Sequence, residues 1–244
     1  MNDKTNGMIP KLHDDNYDKD IIMVLLNALY MKADWAHKFE GQDTYDREFT
    51  KADGSTVTVP FMNMFEAYES YIKTEDAEGI MLPYDDGRLA FIALKPGSGD
   101  ARGYAASLTG AKLKEAIAAA KADTFVTVNM PKFDTEYSVY LTDALKAMGM
   151  TDAFDPFLAD LSGAGRGVDG PLYISYVFQK VKVDVNEEGT EAAAVTEIAT
   201  AEGCALPADE PIVLTFDKPF VYAIVDTETG VPLFAGVMEN PEAK

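Results

Sequence analysis

Basic residues are scarce in this sequence. Its 244 residues include 21 Lys and Arg against 41 Asp and Glu, which gives a formal net charge of −20. A chain this acidic repels phosphate backbones and anionic lipid surfaces. The composition therefore argues against nucleic-acid binding and against a role at a membrane surface.

Cysteine and histidine are almost absent. Cys204 is the only cysteine, so no internal disulfide can form. A nucleophilic triad needs a histidine beside its nucleophile, and neither His13 nor His37 lies in such a motif. The acidic run around His13 lacks the glycine and the bidentate glutamate of a calcium loop, and no glycine-rich phosphate loop occurs. We predict no metal, no cofactor and no enzymatic activity.

Long apolar runs are missing as well. Residues 1–20 contain no apolar stretch of signal-peptide length, and no later run approaches the roughly 20 apolar residues of a membrane span. The sequence as written therefore predicts a soluble chain without a targeting signal. Since 47% of the residues are hydrophobic, the chain can still form one large or two medium domains.

Short apolar or alternating runs bounded by turn residues predict many strands. Residues 21–31 form a nearly continuous apolar run, typical of a central strand covered on both faces. Residues 48–62 predict a hairpin with a tight turn at Asp53 and Gly54. Further strands are predicted at residues 88–95, 124–132, 172–185, 211–215, 220–225 and 233–238, and helices at residues 109–122 and 135–148. Many strands and few helices, without one-for-one alternation, predict an α+β fold with mixed sheets.

Residues 186–207 form an unusually long stretch with few large apolar side chains. A connection of about 20 residues without secondary structure of its own is rare in a compact domain and is usually functional or disordered. In an extended chain, the residues on one face are small or uncharged: Thr190, Ala192, Ala194, Thr196 and Ile198. Glu191 and Glu197 lie on the opposite face. Such a strip can enter a sheet between two strands with its carboxylates in water, and a disordered acidic loop is the alternative.

Several motifs, in this order, resemble the serpins. Residues 27–35 (NALYMKADW) are similar to the family's Asn-Ala-x-Tyr-Phe-Lys-Gly-x-Trp signature on a strand of the central sheet. Residues 131–133, 145–149, Phe154 and residues 159–162 follow the family's middle block in the right order. Residues 186–194 (NEEGTEAAA) resemble the hinge of inhibitory members, and residues 219–241 resemble the C-terminal hairpin. We identify the chain as a member of the serpin family, of bacterial type, that matches the C-terminal two-thirds of a serpin.

The resemblance implies a fold and a location. Residues 1–244 are expected to form a single serpin domain of mixed β-sheets with few helices, with the N-terminal helical part missing. Residues 187–210 are expected to be the reactive-centre loop. A fragment of this kind exposes apolar surface and an open sheet edge, both of which promote self-association. The family resemblance implies an extracellular or cell-surface location.

The resemblance also implies a mechanism. A serine endopeptidase cleaves the loop to an acyl-enzyme, and the freed segment inserts as a new strand into the central sheet before the ester hydrolyses. This is suicide inhibition, and it requires the uninserted fold to be kinetically trapped. The alternatives are a non-inhibitory serpin-fold binding protein and an inactive fragment.

Site residues follow from the resemblance position by position. The hinge comprises Glu187, Glu188, Gly189, Thr190, Glu191, Ala192, Ala193, Ala194 and Val195. The predicted reactive bond joins Gly203 and Cys204, within the range Ala201, Glu202, Ala205 and Leu206. The positions where the sheet opens are Asn27, Gln179, Lys180 and Trp35, with glutamine at 179 where the family usually has histidine.

The composition of the loop predicts the class of protease. No Lys or Arg occurs between Glu191 and Asp217, which argues against trypsin-like enzymes, whose pocket carboxylate needs a cation. The small residues around the predicted bond favour an elastase- or subtilisin-like serine endopeptidase as the partner. Glu202 and Leu206 would instead suit glutamate- or chymotrypsin-type pockets.

Overall fold

The computed structural model describes residues 21–29, 31–167, 170–190 and 210–242. The chain divides into a smaller unit, residues 1–30 with 135–183, and a larger unit, residues 31–134 with 184–244. The strands are β1 (Val24–Leu29), β2 (Ala33–Asp34), β3 (Tyr45–Thr50), β4 (Thr56–Lys73), β5 (Ala77–Pro83), β6 (Leu89–Pro96), β7 (Ala120–Pro131), β8 (Phe133–Tyr140), β9 (Tyr176–Val185), β10 (Gly189–Thr190), β11 (Ile212–Thr215), β12 (Phe220–Asp226) and β13 (Val231–Met238). The α-helices are α1 (Ala101–Ser107), α2 (Gly110–Ala118) and α3 (Thr142–Ala147). This strand-rich content confirms the predicted α+β class.

An eight-stranded sheet dominates the larger unit. Its order is β11-β7-β4-β5-β6-β12-β13, with β3 paired to β4, and β11 with β7 is a parallel pair. Strand β12 is buried along its whole length, as expected of an apolar strand between two neighbours. Leu113 and Ala116 of α2 pack with Ile72 and Ile92 in one core cluster. The helix thus buries one apolar face, as helical spacing of apolar residues requires.

Most local predictions in the larger unit are confirmed. Strands β3 and β4 form the predicted hairpin, and Gly54 in the turn between them has φ +83°. Helix α2 begins where predicted, after Thr109, whose Oγ1 accepts from the Lys112 N–H. It ends earlier than predicted because the residues from Ala120 onward pair with β4. Strand β5 and helix α1 are not predicted, since both are short and lack a clear period.

In the smaller unit, the predicted helix over residues 135–148 is wrong in its first half. Residues up to Tyr140 extend as β8 and pair with β9, and only α3 is helical. The side chains of this half, Thr-Glu-Tyr-Ser-Val-Tyr, favour a pleated surface. The Tyr140 ring packs edge-on against Tyr176 and Phe178 of the neighbouring strand. A pairing partner distant in sequence therefore overrides the helical spacing.

The prediction that residues 21–31 are covered on both faces is wrong. Strand β1 forms and pairs in parallel with β9, but Leu25 and Leu26 are 39% and 37% exposed. Among the described residues, β1 has β9 as its only strand partner. An apolar run has the same sequence whether or not a second layer packs on it. The sequence pattern therefore does not predict how many faces of the strand are buried. Across the described parts of the chain, no helix has the length and apolar character to cross a membrane.

Candidate functional site

Trp35 lies in an aromatic cluster of the larger unit. The residue is 2% exposed and stacks on Tyr84, with ring centroids 4.8 Å apart and an angle of 8° between the planes. Phe91 and Phe39 meet it edge-on, at centroid distances of 5.6 and 6.3 Å. Contacts on several sides hold the indole in one orientation. We call these four residues the Trp35 cluster.

The turn that begins the predicted hinge is bonded directly to Trp35. The indole Nε1–H donates to the Asn186 carbonyl at 2.8 Å, and the Trp35 backbone N–H donates to the Glu188 carbonyl at 2.8 Å. Within the turn, the Asn186 N–H donates to the Gly189 carbonyl at 3.0 Å, and the Asn186 side-chain oxygen accepts from the Glu188 N–H at 3.0 Å. These bonds fix where the following segment leaves the turn.

The two residues after the turn, Gly189 and Thr190, form the short strand β10. Gly189 pairs with Asp34 and Thr190 with Ala33, both in β2, while Thr190 also pairs with Val185 on its other side. Thr190 is 2% exposed, and its hydroxyl lies 2.6 Å from the Tyr84 hydroxyl. The first residues of the predicted inserting strip therefore already occupy an interior position between two strands.

Position 189 has room for glycine alone. A Cβ atom there would lie 2.1 Å from the Ala33 carbonyl oxygen and 2.7 Å from the Asp34 Cα, far inside contact distance. The φ of Gly189 is +155°, a conformation that other residues rarely adopt. The absence of a side chain is what lets β10 approach β2.

Two lysines hold the glutamates of the turn. Lys132 Nζ lies 2.7 Å from Glu187 Oε2, and the Thr44 hydroxyl donates to Glu187 Oε1 at 2.8 Å. Lys38 Nζ lies 2.7 Å from Glu188 Oε2. Burial raises the pKa of Glu187, but the hydrogen bonds from Lys132 and Thr44, with a backbone bond, outweigh it and leave the pKa below its ordinary value. The lysines and Thr44 were not predicted as site residues, because no local motif links them to the turn.

The lowered pKa of Glu187 predicts a pH-dependent stabilisation. Its contribution is fully present above the ordinary value of 4.5 and is lost as the pH falls through the lower folded value. We expect Glu187→Gln to reduce the free energy of unfolding by about 1 kcal/mol near pH 7. Urea unfolding of both proteins at decreasing pH should show this difference shrinking, whereas exposed Glu48→Gln should show none. A difference that stays constant with pH would contradict the assignment.

The predicted opening positions in the smaller unit lie on adjacent strands. Asn27 of β1 is in register with Gln179 of β9, and Asn27 is exposed. No hydrogen bond joins their side chains in the described part of the chain, so the pairing inferred from the resemblance is one of register only. Lys180 forms an ion pair with Glu136 at 2.6 Å. The roles of these residues in sheet opening stay predictions.

The remaining predicted site residues lie outside the described residues. These are Glu191, Ala192, Ala193, Ala194 and Val195 of the hinge, and Ala201, Glu202, Gly203, Cys204, Ala205 and Leu206 around the reactive bond. Within the described ranges, no three His, Cys, Asp or Glu side chains come together in a way that could hold a metal ion.

Comparison with known proteins decides the family. The family model described as serpin (serine protease inhibitor) matches residues 1–241. The chain belongs to the serpin family. A serpin-like protein of Thermococcus kodakarensis is 33% identical over 99% of this chain and 55% of its own length. Serpin B10 of Otolemur garnettii is 35% identical over 98% of this chain and 60% of its own.

The solved structures agree. The crystal structure of the thermophilic serpin tengpin in its native state is similar with a TM-score of 0.86 and 36% identity, over 98% of this chain and 60% of that chain. The serpin fold is thereby confirmed. This chain spans a little over half the length of the relatives it matches, and serpins are generally protease inhibitors, although some are not. The bacterial type stays a prediction, since the curated relatives named above are archaeal and mammalian.

Proposed function

We propose that this serpin chain provides the reactive loop and the receiving strands of a suicide inhibitor of elastase- or subtilisin-like serine endopeptidases. The observation that carries the proposal is the position of Gly189 and Thr190. Both residues pair with β2, and Thr190 also pairs with Val185 on its other side, at the point where the small-residue strip begins. A strand that has started in this position can extend by the same pairing, residue by residue.

The free energy of extension supports this mechanism. Each hydrogen bond contributes about 0.5–1.5 kcal/mol net, so the two ladders made by about a dozen inserted residues can yield more than roughly 10 kcal/mol. That gain is comparable to the whole stability of a domain, about 5–15 kcal/mol. It is enough to drive the displacement of a protease that stays attached to the strand.

Inhibition itself requires the rest of the sheet. Leu25 and Leu26 of β1 are partly exposed, and the chain spans a little over half of its relatives' length. We therefore expect the isolated chain to inhibit poorly, and a chimaera with the N-terminal part of the thermophilic serpin to inhibit. A stable stoichiometric complex between the isolated chain and elastase would contradict the first expectation.

The decisive experiment incubates the chimaera with elastase and subtilisin, and with trypsin as a control. An inhibitor yields a denaturant-resistant covalent adduct, whose cleavage site should map by mass spectrometry within residues 201–206. Trypsin should yield neither the adduct nor this cleavage, because the loop lacks a cation. Cleavage by elastase without an adduct would favour a non-inhibitory binding protein or an inactive form.

Ala192→Arg tests which face of the loop points into the sheet on insertion. A charged side chain on the inward face slows insertion, so we expect the variant to be cleaved as a substrate, with at least a tenfold lower adduct yield. Ala193→Arg is the matched control, because alternation places it on the opposite face, where the charge stays in water. Equal adduct yields from the two variants would remove the support for the hinge assignment.

A further inference from the structure

A cleft in the larger unit contains a buried carboxylate that has a single hydrogen-bond partner among the described residues. Glu69 on β4 has a side chain only 3% exposed, and its Oε1 lies 2.6 Å from Nδ1 of His37, whose side chain is 65% exposed. The cleft that these residues line has a volume of about 460 Å³. Small-molecule sites range over roughly 300–1,000 Å³. The insertion mechanism does not use Glu69 or His37.

A second buried acceptor lines the same cleft. Asn63 is 2% exposed, and its Nδ2 donates to the carbonyls of Asp43 at 2.6 Å and Phe61 at 2.9 Å. Both carbonyls engage Nδ2, and no described residue donates to Oδ1. A buried acceptor without a donor is costly, so Oδ1 is available to a donor that enters the cleft.

The negative charge of the cleft favours a cationic ligand. Glu40 and Asp43 line it together with Glu69, and a buried carboxylate is stabilised by an opposite charge. Lys38 also lines the cleft, but its ammonium is held by Glu188 at 2.7 Å and Asp34 at 3.0 Å. Burial raises the pKa of Glu69, and the His37 hydrogen bond offsets this only in part. The carboxylate therefore remains undercompensated.

Aromatic rings complete the cleft. Phe65 and Tyr68 line it and are 48% and 54% exposed. A register shift in the pairing of β4 with β7, between Met64 and Ala67, places Phe65 at an irregular point of the strand. Exposed aromatic faces attract organic cations such as guanidinium and ammonium groups.

We propose that the Glu69 cleft binds an organic cation, a guanidinium or primary ammonium group, between the acceptors of Glu69 and Asn63 and the rings of Phe65 and Tyr68. The cation comes either from a free small molecule or from an arginine or lysine side chain of a partner protein. Both sources present the same donors to the same acceptors.

The test titrates the 244-residue chain with agmatine and with the peptide acetyl-Ala-Arg-Ala-amide, followed by calorimetry and by the NMR signals of the His37 ring. The neutral control is the same peptide with citrulline in place of arginine. We expect saturable binding that shifts the His37 signals, and at least tenfold weaker binding of the citrulline peptide. Binding of agmatine alone indicates a free cation as the ligand, and binding of the peptide indicates a protein side chain.

Variants localise the site. Glu69→Gln should weaken binding at least tenfold, while Glu115→Gln, an exposed carboxylate on α2, should leave it unchanged. Because Glu69 is buried, Phe65→Ala provides a second variant at an exposed position, with an expected loss of about threefold. No saturable binding of either cation, equal binding of the citrulline peptide, or equal affinities of Glu69→Gln and Glu115→Gln would each overturn the proposal.

Discussion

Gly189→Ala is expected to detach β10 from β2. The new Cβ would lie 2.1 Å from the Ala33 carbonyl oxygen, and no side-chain rotation can relieve a contact between Cβ and backbone. The strands must separate, which breaks the pairing of Gly189 and Thr190 with β2 and leaves the buried Thr190 hydroxyl without its Tyr84 partner. We expect a loss of about 3 kcal/mol in the stability of this region.

The measurement uses the natural probe beside the turn. Trp35 is the only tryptophan, so its fluorescence reports on this region alone, and detachment should shift its emission to longer wavelength. Gly165→Ala is the matched control. Gly165 has a φ of +151°, yet its nearest neighbour would be 3.7 Å from a new Cβ, so this variant carries only the conformational cost. Unchanged Trp35 emission in Gly189→Ala would contradict the proposed contact.

Trp35→Ala is expected to cost about 3–5 kcal/mol, the usual range for emptying a large buried aromatic site. The substitution removes the stacking on Tyr84 and both edge contacts, and it leaves the Asn186 carbonyl without its indole donor. The loss should appear in urea unfolding followed by far-UV circular dichroism, in the transition of the larger unit.

Two companion variants separate the causes. Trp35→Phe keeps a ring against Tyr84 but loses the indole donor, so we expect a smaller cost of about 1–2 kcal/mol. Tyr137→Ala removes an exposed aromatic residue and should cost less than about 0.5 kcal/mol. If Trp35→Ala costs no more than Tyr137→Ala, the Trp35 cluster does not stabilise the turn.

The comparison of β3, β4 and β8 shows where sequence patterns suffice. The hairpin at Gly54 was predictable because its turn and its alternation are both local. Strand β8 was not, because the spacing of Tyr137, Leu141 and Leu145 also fits a helix. The choice depends on β9, which follows much later in the chain. Burial of β1 on both faces was wrongly predicted for the same reason, because burial depends on the elements that pack against a strand.

The residues of the candidate site also differ in whether local sequence predicts them. The turn and the glycine at 189 were predictable, because the hinge motif is continuous in sequence. Its partners Tyr84, Lys132 and Thr44 come from three distant segments, and nothing in their neighbours indicates this contact. Glu69 and Asn63 are equally inconspicuous in the sequence. Only their burial next to an open cleft distinguishes them from other polar residues of β4.

The amino-acid sequence alone determined the acidic surface charge, the family and the small uncharged face of the loop, because composition, motif order and alternation are properties of the chain itself. Tertiary structure alone decided that Gly189 contacts the Ala33 backbone, that Trp35 holds the turn, and that Glu69 is buried beside a cleft. Those facts depend on how segments distant in sequence pack, and packing is set by the shapes of all the neighbours together.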